Sequence, residues 1–273
     1  MIDPEAYCRR IGIPAEEARA ADLSLLRRIT LAHTQAIPFE NLNVLMRLSV
    51  PLDLESLEAK LVHSARGGYC FEQNAYLAAM LEQFGYSVQR LAGRVVWGAT
   101  AVQPWQNPRT HMLLLVNIAG ERYICDVGFG GVTPTAPLPF AMNRELTTPN
   151  ETYRIIEQDD ICLLQAEIAG NWEDVYLFDL QTQAAIDYEM ANHYVATHPA
   201  SQFRHTLMAA RAFDGGRYHL RNRSLTIFRR GSKKEQRELQ GPDEQIKALR
   251  DYFAIEIPDI SEFRASLENV RED

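Results

Sequence analysis

The sequence predicts an α+β fold, with a helical amino-terminal third, an antiparallel β middle and a mixed carboxyl-terminal part. Three observations predict it. Apolar residues recur at helical spacing up to Gly85 and at strand spacing after it. Between Val88 and Phe178 the chain breaks into short β-rich runs joined by turns. From about Asn192 the pattern loosens into loops, a strand and one more helix. The 273 residues suffice for two domains, or three small ones, at about 100–200 residues each.

Pro14 is expected to open a helix, because proline fits a first turn and Glu16 and Glu17 suit the helix dipole. Asp22 is placed to cap a second helix, in which Leu23, Leu26, Ile29 and Thr30 share a face until Pro38 ends it. Leu54, Leu57, Leu61 and Val62 mark a third stretch, 54–65, broken by Gly67 and Gly68. A fourth helix begins at about Cys70 and runs to Phe84, with Leu77, Met80, Leu81 and Phe84 as its stripe and Gly85 as its C-cap. Residues 88–97 then read as a strand and 98–109 as a loop. Residues 110–118 and 122–127 read as a hairpin around Ala119 and Gly120. A proline-rich connection, 134–149, leads to strands at 153–156, 161–168 and 175–178, and later to a strand at 224–229 and a helix at 243–253. No internal repeat and no low-complexity tract interrupts this order.

Composition narrows the function. At 46% hydrophobic and 23% charged residues the chain matches a soluble globular protein, which excludes disorder and fibrous repeats. Lys and Arg number 28 against 36 Asp and Glu, a net charge of −8. That balance argues against non-specific binding of nucleic acid or an anionic membrane, while leaving room for an anionic ligand in a local basic pocket. The longest uncharged apolar run, HMLLLVNIA, is less than half the roughly 20 residues of a spanning helix. The opening MIDPEAYCRR has acids where a signal peptide needs basic residues and an apolar run. Cys8, Cys70, Cys125 and Cys162 are scattered without a C-x-x-C, so neither zinc nor a disulfide framework is expected. A cytoplasmic location with free thiols is.

One thiol stands apart. Cys70 follows Arg66-Gly67-Gly68-Tyr69 and starts a periodic helix, where free N–H groups and the positive dipole end favour a thiolate. The competing reading is an inert buried cysteine, the usual state of a free thiol. In the hairpin, an even loop gives paired positions an odd sum. His111 and Asp126 also sum to an odd number, so their side chains share a face of neighbouring strands. A carboxylate there fixes the imidazole tautomer and stabilises the imidazolium; alternatively both are ordinary strand-end residues. Taken together, Cys70, His111 and Asp126 supply nucleophile, base and orienting acid. His63 reads as solvent-facing, and His193, His198, His205 and His219 as surface or lid residues. Cys8, Cys125 and Cys162 read as structural. The run Gly128-Phe129-Gly130-Gly131 reads as a tight turn bringing backbone close to a ligand, and only weakly as a phosphate cradle.

Arg66-Gly67-Gly68-Tyr69-Cys70-Phe71-Glu72-Gln73-Asn74, with Pro38-Phe39-Glu40-Asn41 before it and Thr110-His111 and Asp126-Val127-Gly128-Phe129-Gly130-Gly131 after it, resembles the arylamine N-acetyltransferase family. The bacterial members that also act as N-hydroxyarylamine O-acetyltransferases are the most similar. The resemblance spans nearly the whole chain, is dense from Ile37 to Gly131, and thins after about residue 205. It implies a helical bundle over 1–86 carrying the nucleophile, a β-barrel over 87–195 carrying His and Asp, and an α/β lid over 196–273. The active site would be arranged as in cysteine proteinases. It implies that Cys70 is acetylated, that His111 is its base and that Asp126 orients the imidazole. By the same resemblance Arg66 and Glu40 form a structural ion pair, and Phe39, Phe129 and Phe203 line the acceptor pocket. Gly128, Gly130 and Gly131 would lie near the phosphates of coenzyme A. Acetyl-CoA would be the co-substrate, no metal would be needed, and acceptors would be aromatic amines, hydrazines and hydroxylamines. A papain-like thiol hydrolase, an amide synthase on the same scaffold and a non-enzymatic binding module are the rival expectations.

Overall fold

The computed structural model describes residues 2–18, 20–98, 106–158 and 160–271; residues 99–105 of the expected 98–109 loop therefore lie outside it. The amino-terminal part is helical because its helices have an apolar side to bury and the first two begin at a capping aspartate. In α1 (Pro4–Ile11), Asp3 accepts the N–H groups of Glu5 and Ala6, and Gly12 closes the far end in a left-handed conformation. In α2 (Leu23–Ala36), Asp22 accepts the Leu25 N–H. The stretch after Pro14 forms only a 3₁₀ turn, Ala15–Glu17, none of it buried. Good helix formers without an apolar stripe gain too little from packing to extend further. Two short helices follow, α3 (Leu42–Leu45) and α4 (Leu54–Glu58), and α4 widens into a π-helical turn, Ala59–His63. Next comes α5 (Cys70–Gln83), almost wholly buried, in line with the expected helix from Cys70.

Beyond Gly85 the chain forms an antiparallel barrel. Its strands are β2 (Ser87–Val95), β3 (Arg109–Ile118), β4 (Glu121–Cys125), β5 (Leu138–Pro139), β6 (Leu146–Thr147), β7 (Thr152–Gln158), β8 (Ile161–Ile168) and β9 (Asn171–Phe178), in the order β5-β4-β3-β2-β9-β8-β7-β6. The edge strands β5 and β6 are joined by residues 140–145 alone, so the sheet curls until it is nearly closed. Alternation along β3 divides its burial: Met112, Leu114 and Val116 face the helices, Leu113 and Leu115 the barrel interior. The proline-rich connection thus carries two short strands that sequence spacing did not reveal.

The last part pairs with the first. A five-stranded antiparallel sheet runs β1 (Phe39–Glu40), β10 (Met208–Phe213), β11 (Gly216–Arg221), β12 (Ser224–Arg229) and β13 (Glu235–Glu238). Its core joins Leu42, Leu45 and Met46 to α7 (Pro242–Asp251) and α8 (Ile260–Leu267). Before it, α6 (Ala185–Thr197) packs Tyr188 and Val195 into the amino-terminal core. The sequence pattern revealed β12 and α7 here but missed α6, β10, β11, β13 and α8. Arginines interrupt the strands, and α6 leaves Ile186, Met190 and Tyr194 exposed, so neither shows a clean apolar period. Among the described residues no helix is long and apolar enough to cross a membrane.

Candidate active site

Cys70 is the first residue of α5, and the residue before it, Tyr69, is extended. The first-turn N–H groups of a helix have no partner within it, and here Glu72 reaches back to bond the Tyr69 N–H at 3.0 Å. The other Glu72 oxygen accepts the Lys60 ammonium at 2.6 Å, and Lys60 also stands 3.7 Å from Glu40. Arg66 donates from Nε and Nη2 to one oxygen of buried Glu40, at 2.9 and 2.7 Å. Burial pushes the Glu40 pKa up, but Arg66, then Lys60 and the Leu42 N–H, hold it below the ordinary value. The Glu72 pKa stays raised, by burial first and by the Glu40 charge, with Lys60 opposing.

The Cys70 side chain is 5% exposed, and its Sγ lies 3.6 Å from the Thr110 carbonyl at the start of β3. His111 follows Thr110. Its Nε2–H donates to Asp126 Oδ2 at 2.7 Å, and His111 and Cys70 line the same cleft. With Nε2 taken by Asp126, Nδ1 is the nitrogen left for a proton exchange with another group. The hairpin explains this meeting. Ile118 pairs with Glu121 across the turn and Leu114 with Cys125, so the position opposite Asp126 is Leu113, two residues from His111 on the same face.

Fully buried Asp126 accepts two more hydrogen bonds on Oδ1, from Asn74 Nδ2 and the Gly128 N–H, both at 2.9 Å. Asn74 also donates to the Met112 carbonyl at 2.7 Å and accepts the Val127 N–H at 3.1 Å, fastening α5 to β3 and to the segment just after β4. Burial raises the Asp126 pKa, but the His111 charge and hydrogen bond, then Asn74 and Gly128, bring it below the ordinary value. For His111, burial alone would lower the pKa. The Asp126 charge and hydrogen bond, with Cys70 adding to them, instead hold it at about 10. A protonated imidazole between carboxylate and thiol is thus the favoured state. Its ring is walled by Phe129 and Tyr176, at centroid distances of 5.2 and 4.8 Å. The Tyr176 phenol is pushed above its usual value by burial and then by Asp126.

These residues open into a cleft of about 430 Å³ lined by Cys70, His111, Phe39, Phe129, Phe203, Gly128 and Gly131. Gly130 lies elsewhere, in a separate cavity of about 20 Å³ on the other side of Phe39. Only glycine fits at 128, because a Cβ there would stand 2.7 Å from the Cys70 Cα. Trp97, Met208 and Arg221 also line the cleft and were not singled out by the sequence; Thr110 and His219, both named from the sequence, line it too. His219, expected on the surface or in a lid, is instead half-buried beside Gly131. Burial, then Arg217 and Arg221, lower its pKa to about 4, so it is neutral at pH 7. His219 and Arg221 also line a neighbouring groove of about 1120 Å³ that includes Arg223, Lys234, Arg264 and Arg271 with Glu238 and Glu268. A signal for Asn74 was present, since it lies four residues after Cys70 and hence on the same helix face. No local signal marks Tyr176 or His219, which are brought in from β9 and β11. Chemically, the arrangement pairs a shielded thiol with a base and an aromatic cleft, the requirements of acyl transfer through sulfur.

A family model described as N-acetyltransferase matches residues 22–262. The chain is 40% identical over 243 residues to the arylamine N-acetyltransferase of Escherichia coli (strain K12), covering 89% of this chain and 85% of that one. A Salmonella typhimurium relative described as arylamine N-acetyltransferase / N-hydroxyarylamine O-acetyltransferase is 38% identical over 255 residues, covering 93% and 87%. The structure of Mycobacterium marinum arylamine N-acetyltransferase in complex with CoA superimposes with a TM-score of 0.93 at 38% identity, covering 98% of this chain and 100% of that one.

Proposed function

The chain belongs to the arylamine N-acetyltransferase family and is an acyltransferase, and on that premise we propose that it carries an acetyl group from acetyl-CoA to aromatic acceptors by a ping-pong route through Cys70. The acceptors are arylamines and arylhydrazines at nitrogen and N-hydroxyarylamines at oxygen. In the first half-reaction the Cys70 thiolate attacks the thioester carbonyl, and the adduct collapses with loss of the coenzyme thiolate, which takes the proton of His111. In the second, the acceptor attacks the acetyl-cysteine. Neutral His111 takes the proton the acceptor loses, and the sulfur leaves as thiolate, restoring the starting pair. Asp126 holds the ring so that Nδ1 faces the sulfur throughout.

The observation that carries this reading is the buried line Cys70–His111–Asp126, with the 2.7 Å bond from His111 to Asp126. Phe39, Phe129 and Phe203 suit a flat aromatic acceptor by stacking and apolar burial. The coenzyme complex of the M. marinum relative supports the choice of donor, and Gly128 and Gly131, which line the cleft, are assigned to its phosphate end. The deciding experiment incubates the protein with acetyl-CoA and maps the mass adduct. A single acetyl group on Cys70, discharged by adding an arylamine and absent in Cys70→Ser, is expected. An unmodified Cys70, or near-normal arylamine acetylation by Cys70→Ser, would end the proposal.

A further inference from the structure

Three helices meet in a buried polar chain that the reaction above does not use. Tyr7 on α1, His33 on α2 and Gln73 on α5 are all at 0% exposure. The Tyr7 hydroxyl lies 2.8 Å from His33 Nδ1, and His33 Nε2 lies 2.7 Å from Gln73 Oε1. Gln73 Nε2 lies 3.0 Å from each of the Pro38 and Gly68 carbonyls. The direction of every hydrogen is then fixed. Two carbonyls can only accept, so both amide hydrogens of Gln73 point to them and its oxygen turns to His33. That oxygen cannot donate, so His33 carries its proton on Nε2, and its bare Nδ1 accepts the Tyr7 hydroxyl. Burial first, and the charge of Arg10, keep this ring neutral, with a pKa of about 4.

The two carbonyls hold the walls of the cleft. Pro38 precedes Phe39, and Gly68 lies two residues before Cys70. The segments also bond directly, Gly68 N–H to the Pro38 carbonyl at 3.3 Å and Glu40 N–H to the Gly68 carbonyl at 3.1 Å. They approach so closely that a Cβ on Gly67 would stand 1.8 Å from the Pro38 oxygen. We propose that His33 is a positioning residue for acetyl transfer: by presenting Nε2–H it holds the Gln73 amide in one orientation, and that amide sets Phe39 and Cys70 relative to each other. The proposal rests on the reading of Cys70 as nucleophile and Phe39 as acceptor wall. An error of 1 Å in such placement costs up to about 100-fold in rate, whereas loss of one hydrogen bond in a helix bundle costs stability alone.

The test uses the full chain as wild type, His33→Gln and His33→Leu. Glutamine keeps a donor near the Nε2 position; leucine keeps bulk without a donor. Nitrogen NMR of histidine-labelled wild type is expected to show His33 as the Nε2–H tautomer and not titrating from pH 5.5 to 8. Rates are taken per active site, as single-turnover acetylation of Cys70 and as acceptor KM. His33→Leu is expected to lower the first and raise the second by about tenfold each, with His33→Gln within about threefold of wild type. Unchanged per-site kinetics in His33→Leu with only a lower Tm, equal impairment of both variants, or a Nδ1–H or charged His33 at pH 7 each overturns the proposal. Should His33→Leu not fold, the tautomer and the His33→Gln kinetics decide. An absent Cys70 adduct in wild type overturns the nucleophile reading instead, a separate failure.

Discussion

At the scale of single residues, His111 is pulled in opposite directions. Removal from water disfavours its charged form, while a carboxylate 2.7 Å away and the neighbouring thiol favour it, and the second effect prevails with a pKa of about 10. Asp126 therefore does two things at once, since the bond that fixes the tautomer also supplies the charge. Asp126→Asn keeps the shape and loses both. It is expected to cut the rate of Cys70 acetylation by roughly three to four orders of magnitude, by analogy with the same exchange in a serine protease. Stopped-flow measurement of coenzyme release checks this, and a loss under tenfold would show that the carboxylate is not the orienting group. Cys70→Ser gives the complementary result, loss of the adduct with the fold retained.

Elements matter at the next scale because the three groups of the proposed mechanism sit on separate ones: Cys70 on α5, His111 on β3, Asp126 just beyond β4. Asn74 joins them, with contacts to β3, to Val127 and to Asp126 from a single side chain. The turn at Gly128 lets the backbone after Asp126 pass against Cys70. Gly128→Ala places a methyl 2.7 Å from the Cys70 Cα, a backbone atom that cannot swing aside. Overpacking of this kind costs about 1–3 kcal/mol, and a drop in Tm with at least tenfold slower acetylation is expected; unchanged values of both would contradict the close packing. Helix α5 and the β3–β4 hairpin were legible in the sequence because each carries its own local signal: a stripe with a C-cap glycine, and two apolar runs about a two-residue turn. Helix α6 and strands β10 and β11 were not, because arginines and exposed apolar side chains on them answer to distant partners rather than to neighbours in sequence.

For the molecule as a whole, buried His33 and His111 and half-buried His219 make stability depend on pH with opposite signs. His33 and His219 have pKa values lowered to about 4, below the roughly 6.5 of an unfolded histidine. Between those values the unfolded chain binds more protons, so their contribution is present above 6.5 and is lost as pH falls through 4. His111, at about 10, binds its proton more tightly when folded. Its contribution is full below 6.5 and is lost as pH rises through 10. Thermal melts across pH are expected to show both limbs. His33→Gln should flatten the acid limb and leave the alkaline one; an acid limb unchanged in that variant would assign it to other groups.

By itself the sequence determined the local scaffold: a cysteine at a helix start, a histidine and an aspartate on one face of a hairpin, and glycines where backbone must pass backbone. Each is a relation between residues a few positions apart, which periodicity and turn geometry express. Only the tertiary structure decided what surrounds them. It set the Tyr176 wall, brought His219 and Arg221 into the lining of the cleft, seated Gly130 away from it, and paired Phe39 and Glu40 with a strand about 170 residues later. Those contacts join distant parts of the chain through packing, and packing leaves no period in a sequence to read.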